Sequence, residues 1–255
     1  MMIKITEKCS MGCTHCMNNA TASGKHMDFE IFKDSLNFLK ENNLLFPQIV
    51  ITGGEPTEHP QFVEFMKYLA DFIKSNKILV FVTVATNGFW ILNNQEKAKE
   101  IVSLFNKKGF SFQVSTDRRY YPKRLDTTKR IFKEEGFVLC EDCVESLYPQ
   151  GKAMNLKNVT YNAIASNCFN VRAISKQIDN CKLSDIVAML ASRFKFCTPH
   201  IKIDGGIGLG ESDLCPKCCS IYDSMDVIMD KIKAFKCDGC KHLNDKLPIL
   251  YQKLL

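Results

Sequence analysis

The chain has 255 residues, with 45% hydrophobic and 24% charged, the balance of a globular protein with one large core and not of a disordered segment. Its longest strongly apolar run, residues 78–85, is far too short to span a bilayer. The opening Met1 to Lys8 also lacks the apolar core and cleavage site of an export signal, so a cytoplasmic protein is expected. The net charge of +6 is carried by lysines scattered along amphipathic segments, which argues for a solvated surface over a nucleic-acid face.

In chain order, the first predicted element is a strand over residues 3–6, followed at once by Cys9-Ser10-Met11-Gly12-Cys13-Thr14-His15-Cys16. Three thiolates can hold only three corners of a four-iron cluster and leave the fourth iron to a ligand that is not protein. A structural zinc ion would want a fourth close ligand. A helix is predicted over 28–43, with Asp28 as its N-cap and Phe29, Phe32, Leu36 and Leu39 on one face. The strand at 49–52 runs into Gly53-Gly54-Glu55-Pro56-Thr57, where adjacent glycines permit positive φ and a close backbone approach to a ligand. A second helix covers 60–75, with Phe62, Phe65, Met66, Leu69 and Ile73 inward. The next strand, 78–85, leads to Thr86-Asn87-Gly88. A third helix, 93–108, turns Ala98, Ile101, Val102 and Phe105 inward and ends at Gly109 as C-cap. Strands at 110–115, 137–140 and 159–164 follow, the first of them ending on Ser115-Thr116-Asp117. Short β-rich runs alternating with helices predict parallel βαβ units. Right-handed crossovers curl such units into a partial or full α/β barrel, with the loops after the strands facing one mouth. Residues 1–164 are expected to form this core.

From residue 165 the pattern changes. Residues 167–180 are polar and irregular, 182–194 read as a helix, 201–210 as a glycine-rich turn or hairpin, and 223–235 as a helix before Cys237-Asp238-Gly239-Cys240. Residues 165–255 thus make a small extension with a thin apolar core, the kind that a metal commonly holds together. Thirteen cysteines without an export signal point to metal ligation over disulfides. The C-terminal group, Cys197, Cys215, Cys218, Cys219, Cys237 and Cys240, is a second candidate metal site, and its two Cys-x₂-Cys pairs also have zinc-ribbon spacing. Cys140 and Cys143 are near enough to share a metal, but burial is the simpler expectation.

The cysteine triad and Gly53-Gly54-Glu55-Pro56 together resemble the radical S-adenosylmethionine (radical SAM) enzymes, over residues 2 to about 164. The resemblance implies a partial (β/α)6 barrel and a [4Fe-4S] cluster on Cys9, Cys13 and Cys16. It implies S-adenosylmethionine at the open iron, cleaved by one electron to a 5′-deoxyadenosyl radical that abstracts hydrogen from a substrate. It further implies that Gly53, Gly54, Glu55 and Pro56 meet the cofactor's amino group and that His15 packs against its adenine. Asn87, Ser115 and Asp117 are expected near the cofactor, and Arg130, whose register departs slightly from the usual spacing, is the candidate partner of its carboxylate. Pro149-Gln150-Gly151-Lys152-Ala153 is similar to a family stretch that has arginine in place of the lysine.

The C-terminal part resembles the extensions called SPASM or twitch domains. That implies an auxiliary [4Fe-4S] cluster on Cys197, Cys215, Cys237 and Cys240, with Cys218 or Cys219 able to replace Cys215 and with zinc as the alternative metal. Relatives with such extensions often act on peptides or proteins, so oxidative modification or cross-linking of a peptide is expected, driven by an external reductant such as flavodoxin or ferredoxin. Many peptide-modifying relatives carry an N-terminal leader-binding domain, whereas here the first strand is expected from residue 3, so a separate partner protein or a small-molecule substrate stays open. A nucleic-acid substrate is supported only by charge. A non-catalytic iron–sulfur electron carrier is the alternative of a different class, and the Gly-Gly-Glu-Pro run disfavours it.

Overall fold

Side-chain alternation along the strands decides how the chain is layered. In β1 (Met2–Thr6), β2 (Gln48–Gly53), β3 (Phe81–Thr86) and β4 (Ser111–Ser115), one face carries Ile3, Ile5, Ile49, Ile51, Val82, Val84, Phe112 and Val114, all buried. The strands run parallel with Ile3 beside Ile51, Ile51 beside Val84 and Val84 beside Phe112, so the apolar face is continuous. Against it lie α1 (Phe29–Glu41), α2 (Phe62–Ser75) and α4 (Gln95–Lys108), while α5 (Asp126–Glu134) adds Phe132 to the same core. The structure, a computed structural model, describes residues 1–16, 18–45, 47–115, 126–135, 139–142, 151–156, 182–187, 199–209 and 217–234.

Asp28 stands at the N-cap of α1 but makes no side-chain capping bond. Asn94 caps α4 by accepting from the Lys97 N–H at 3.0 Å, and Gly109 closes it at φ 67°, a left-handed conformation that costs glycine little. The third strand begins later than residue 78 because the chain is still finishing α2: the Ile78 N–H bonds the Ile73 carbonyl at 3.0 Å, and Lys77 sits at φ 52°. A short helix, α3 (Trp90–Asn93), stands in the connection after β3, where the sequence signalled only a strand end.

β5 (Leu139–Asp142) pairs in parallel with β4, and from this edge to β1 the sheet order is β5-β4-β3-β2-β1. This is the parallel α/β sheet that the βαβ rhythm predicts. The predicted strand at 159–164 lies outside the described residues. On the other side of β1, the expected hairpin is present as β6 (His200–Ile201) and β7 (Gly206–Gly208), turning through Gly205 at φ 77°. β8 (Lys217–Ser220) follows antiparallel, and α6 (Met225–Ala234) packs back through Ile228 and Ile232. β6 pairs in parallel with β1, Met2 beside His200 and Ile3 beside Ile201, so one sheet runs from the N-terminal strand into the extension.

The opposite face of the sheet is polar. Lys4 and Thr83 lie on it, 3% and 4% exposed, and the Gln48 amide donates to the Thr83 hydroxyl at 2.7 Å, which in turn lies 3.0 Å from the Ser111 hydroxyl. A parallel sheet with apolar layers on both faces would read as unbroken hydrophobic runs. These strands alternate instead. Among the described residues, no helix is long and apolar enough to cross a membrane.

In the sheet-to-helix core the Phe105 and Phe112 rings stack with centroids 4.1 Å apart, and Phe132 meets Phe112 edge-on at 5.5 Å. Phe112→Ala should cost about 3–5 kcal/mol of stability by opening a cavity there. The urea midpoint reads this out, and an unchanged midpoint would mean that the stack carries none of the core.

Candidate active site

Beyond Thr6 the chain leaves the sheet and comes back along its own path. The Glu7 N–H donates to the Lys25 carbonyl, the Cys9 N–H to that of Thr21 and the Met27 N–H to that of Ile5, each at 2.8 Å. These bonds close the cysteine run into a loop whose feet stand on β1. Two further contacts grip the loop from outside. The Ser10 N–H and hydroxyl donate to the two carboxylate oxygens of Glu58, at 2.9 and 2.7 Å. On the other flank Lys152, in the 3₁₀ turn Gly151–Asn155, donates its N–H to the Cys16 carbonyl at 2.8 Å and its Nζ to the Ala20 carbonyl at 2.9 Å.

The two glycines after β2 meet the chain's own backbone. The Gly54 N–H bonds the Thr6 carbonyl and the Glu55 N–H the Lys8 carbonyl, both at 2.7 Å. A Cβ on Gly53 would come 2.3 Å from the Thr6 oxygen, and one on Gly54 would come 2.2 Å from the Lys8 oxygen. Side chains at these positions would push β2 off the entry to the cysteine loop.

Glu55 is 1% exposed and points inward. One carboxylate oxygen accepts from the Thr57 N–H (3.2 Å), the Thr57 hydroxyl (2.7 Å) and the Thr86 hydroxyl (2.8 Å), and the other accepts from the Asn87 N–H (2.8 Å). Burial pushes its carboxyl group up, against these donors, which favour the carboxylate. Thr86 also accepts from the Trp90 indole N–H at 3.0 Å, so the ends of β2 and β3 and the start of α3 form one bonded unit. From that unit the Asn87 amide nitrogen reaches Cys9 Sγ at 3.8 Å, oriented by the Phe89 N–H donating to Asn87 Oδ1 at 2.8 Å.

Cys9, Cys13 and Cys16 are all half-buried and free. Burial raises the Cys9 thiol to about 11, with Glu55, Glu58 and Cys16 opposing ionisation further. Burial likewise raises Cys13 to about 12, with Cys9 and Cys16 adding to the shift. Buried thiols such as Cys9 and Cys13 suit a cationic centre, because metal coordination deprotonates thiols outright. Among the described residues no three His, Cys, Asp or Glu side chains close on a single metal ion. Three thiols on one loop are the donor type that iron–sulfur clusters take as ligands. Beside it lies a cavity of about 240 Å³ lined by Ser10, Met11, Glu55, Glu58, Asn87 and the aromatic Phe89 and Trp90.

The structure brings together Cys9, Cys13, Cys16, Gly53, Gly54, Glu55 and Asn87, with His15 half-buried on the loop and Pro56 opening the 3₁₀ turn Pro56–Glu58. Ser115 is half-buried at the end of β4, beside Asp142 of β5. Arg130 is not brought in. Its side chain is 71% exposed on α5 and sits 3.6 Å from Glu134. Asp117, Cys197, Cys215, Cys237 and Cys240 lie outside the described residues. Cys218 is half-buried and Cys219 buried in the core, and their mutual hydrogen bond raises the Cys219 thiol and lowers that of Cys218. Sequence reasoning passed over Glu58, whose one signal is its place directly after Gly-Gly-Glu-Pro-Thr, and did not foresee that Lys152 touches the loop.

The family model of the Radical SAM superfamily matches residues 3–136, just over half of the chain. The chain belongs to the radical SAM superfamily. Membership implies a [4Fe-4S] cluster and S-adenosylmethionine. Over 133 residues, 51% of its length, this radical SAM chain is 33% identical to the PqqA peptide cyclase of Bradyrhizobium diazoefficiens. Over 102 residues, 38% of its length, it is 32% identical to the 7,8-dihydro-6-hydroxymethylpterin dimethyltransferase of Methanocaldococcus jannaschii. The matches span 34% and 19% of those proteins' own lengths. Among solved structures, BtrN in complex with AdoMet and 2-DOIA shares the fold, with a TM-score of 0.56 and 14% identity, over 96% of this chain and 88% of that one.

Two substitutions test the bonded unit. Glu55→Gln turns an amide NH₂ toward one of the donors now met by the carboxylate. It should cost about 1–3 kcal/mol, read from the urea midpoint. Gly54→Ala should cost about 1–3 kcal/mol or more through the backbone contact and should also lower the iron bound after anaerobic reconstitution. Normal stability and iron content in Gly54→Ala would show that the close contact is not required.

Proposed function

We propose that this chain is a radical SAM enzyme in which Cys9, Cys13 and Cys16 hold the [4Fe-4S] cluster and that its substrate is a peptide or protein undergoing oxidative modification or cross-linking. The observation that carries the first part is the placement of three thiols on one clamped loop, against the Gly-Gly-Glu-Pro turn and beside the 240 Å³ cavity. When bound, the cluster supplies the electron that cleaves S-adenosylmethionine into methionine and a 5′-deoxyadenosyl radical, which takes hydrogen from the substrate.

The chain's own residues do the positioning. Gly53 and Gly54 keep the end of β2 flush with the loop, and Glu55 ties that end to β3. Asn87 presents an amide N–H to the Cys9 sulfur, and Phe89 and Trp90 form an apolar wall of the cavity. In this reading His15 serves the cofactor's adenine and Ser115 its methionine or ribose end, and Asp117 stays a candidate cofactor-binding residue from the sequence alone. Arg130 is left out because its exposed position on α5 turns it away.

The substrate class is supported by the likeness to a peptide cyclase across half of the chain. The cysteines of the 165–255 extension would hold an auxiliary cluster that accepts an electron from the substrate. The pairing of β6 with β1 would keep that extension on the sheet. Flavodoxin or ferredoxin would deliver the electrons in the cytoplasm.

With dithionite and S-adenosylmethionine, the wild-type protein should release 5′-deoxyadenosine, and Cys13→Ala should release none above background. Equal release from both would overturn the cluster assignment. Size-fractionated cell extract then tests the substrate. Stimulation of cleavage by a protease-sensitive, non-dialysable fraction supports a peptide or protein, stimulation by a dialysable, protease-resistant fraction replaces it with a small molecule, and loss on ribonuclease treatment replaces it with RNA.

A further inference from the structure

The cysteine loop is gripped by two residues of opposite charge, one on each flank. Glu58 holds its N-terminal part through both oxygens, at 2.9 and 2.7 Å from Ser10, the residue after Cys9. Lys152 holds the C-terminal part with its backbone N–H on the Cys16 carbonyl at 2.8 Å and its ammonium on the Ala20 carbonyl at 2.9 Å, the latter across 132 residues of sequence. Neither is fully exposed.

We propose that Glu58 and Lys152 are positioning residues that clamp the cysteine loop and bias its cluster's reduction potential in opposite directions, Glu58 downward and Lys152 upward. This rests on the reading that Cys9, Cys13 and Cys16 hold a [4Fe-4S] cluster. Taking up one electron from a low-potential donor makes the cluster more negative by one charge. A carboxylate held at the loop opposes that change, and an ammonium held there favours it. Solvent screening is weaker at such partly buried positions than in water, so single charges act at useful strength. Cluster potentials respond to net charge and hydrogen bonding around the sulfurs. The lysine is therefore the counterweight to the acid, and a neutral residue there would leave the cluster harder to reduce.

Reconstituted wild type, Glu58→Gln, Lys152→Met, Lys152→Arg and the Glu58→Gln/Lys152→Met double variant are titrated anaerobically with dithionite and viologen mediators, and the reduced cluster is followed by electron paramagnetic resonance. At fixed ambient potential, Glu58→Gln should raise the reduced-to-oxidised ratio by about three- to ten-fold, ten-fold being about 59 mV for one electron. Lys152→Met should lower it by a similar factor, while the double variant and Lys152→Arg should return close to wild type. Shifts of the same sign in both single variants would mean that the clamps only exclude solvent, and no shift in either would mean that their charges do not reach the cluster. Either result overturns the proposal. Should Lys152→Met not retain iron, Glu58→Gln must still rise while Lys152→Arg stays put. A wild type that assembles no cluster would instead remove the reading on which the proposal rests.

Discussion

The working end of the sheet depends on how closely β2 lies against the chain entering the cysteine loop. Two backbone hydrogen bonds, Gly54 to Thr6 and Glu55 to Lys8, set that distance, and it leaves no room for a Cβ at either glycine. Because β2 is held flush, Glu55 can only point inward. A buried carboxylate is costly unless its lone pairs are met, and here donors from Thr57, Thr86 and Asn87 meet them. The strand ends are therefore fixed to one another before any ligand enters the account, and Asn87 reaches Cys9 from a prearranged position.

What the sequence made legible is what short-range chemistry encodes. The cysteine spacing, the Gly-Gly-Glu-Pro run after a strand, the helical stripes and the Gly109 cap each lie within a few residues, and the stripes and the cap stand in the structure as read. The glycines were read as freeing the backbone for a ligand, whereas the nearest partner is the chain itself. Glu58 and Lys152 were opaque for a different reason. Their contacts are to Ser10, Cys16 and Ala20, and only the completed sheet brings them there. Arg130 shows the converse limit: a spacing argument places it on a helix but not on a face, and the observed face is the exposed one. The edge pairing of β6 was equally hidden, since a strand of two residues, His200–Ile201, carries no periodicity.

That edge pairing changes what the extension means physically. β1 would otherwise be an edge strand with unpaired backbone groups directly below the cysteine loop. β6 covers it, and the Met2 N–H also bonds the Pro199 carbonyl at 3.4 Å. Tyr222, after β8, donates to Asp34 on α1 at 3.0 Å, a second tie between extension and core. The residues that start the cluster loop are thus braced from both sides of β1, by β2 through the glycines and by the hairpin through His200 and Ile201.

The bracing has a physical purpose in the thiols themselves. Cys9 and Cys13 both resist ionisation, chiefly because they are partly buried and then because like charges would crowd together. A free loop would relieve that crowding by letting the sulfurs drift apart, and the cost of gathering them would fall on any cluster that assembled there. A loop closed by the bonds to Lys25, Thr21 and Ile5, and gripped by Glu58 and Lys152, meets part of that cost in folding. The rigid feet on β1, the glycine contact and the opposed charges on the flanks then act on one problem, which is to keep three cysteine sulfurs on one short loop.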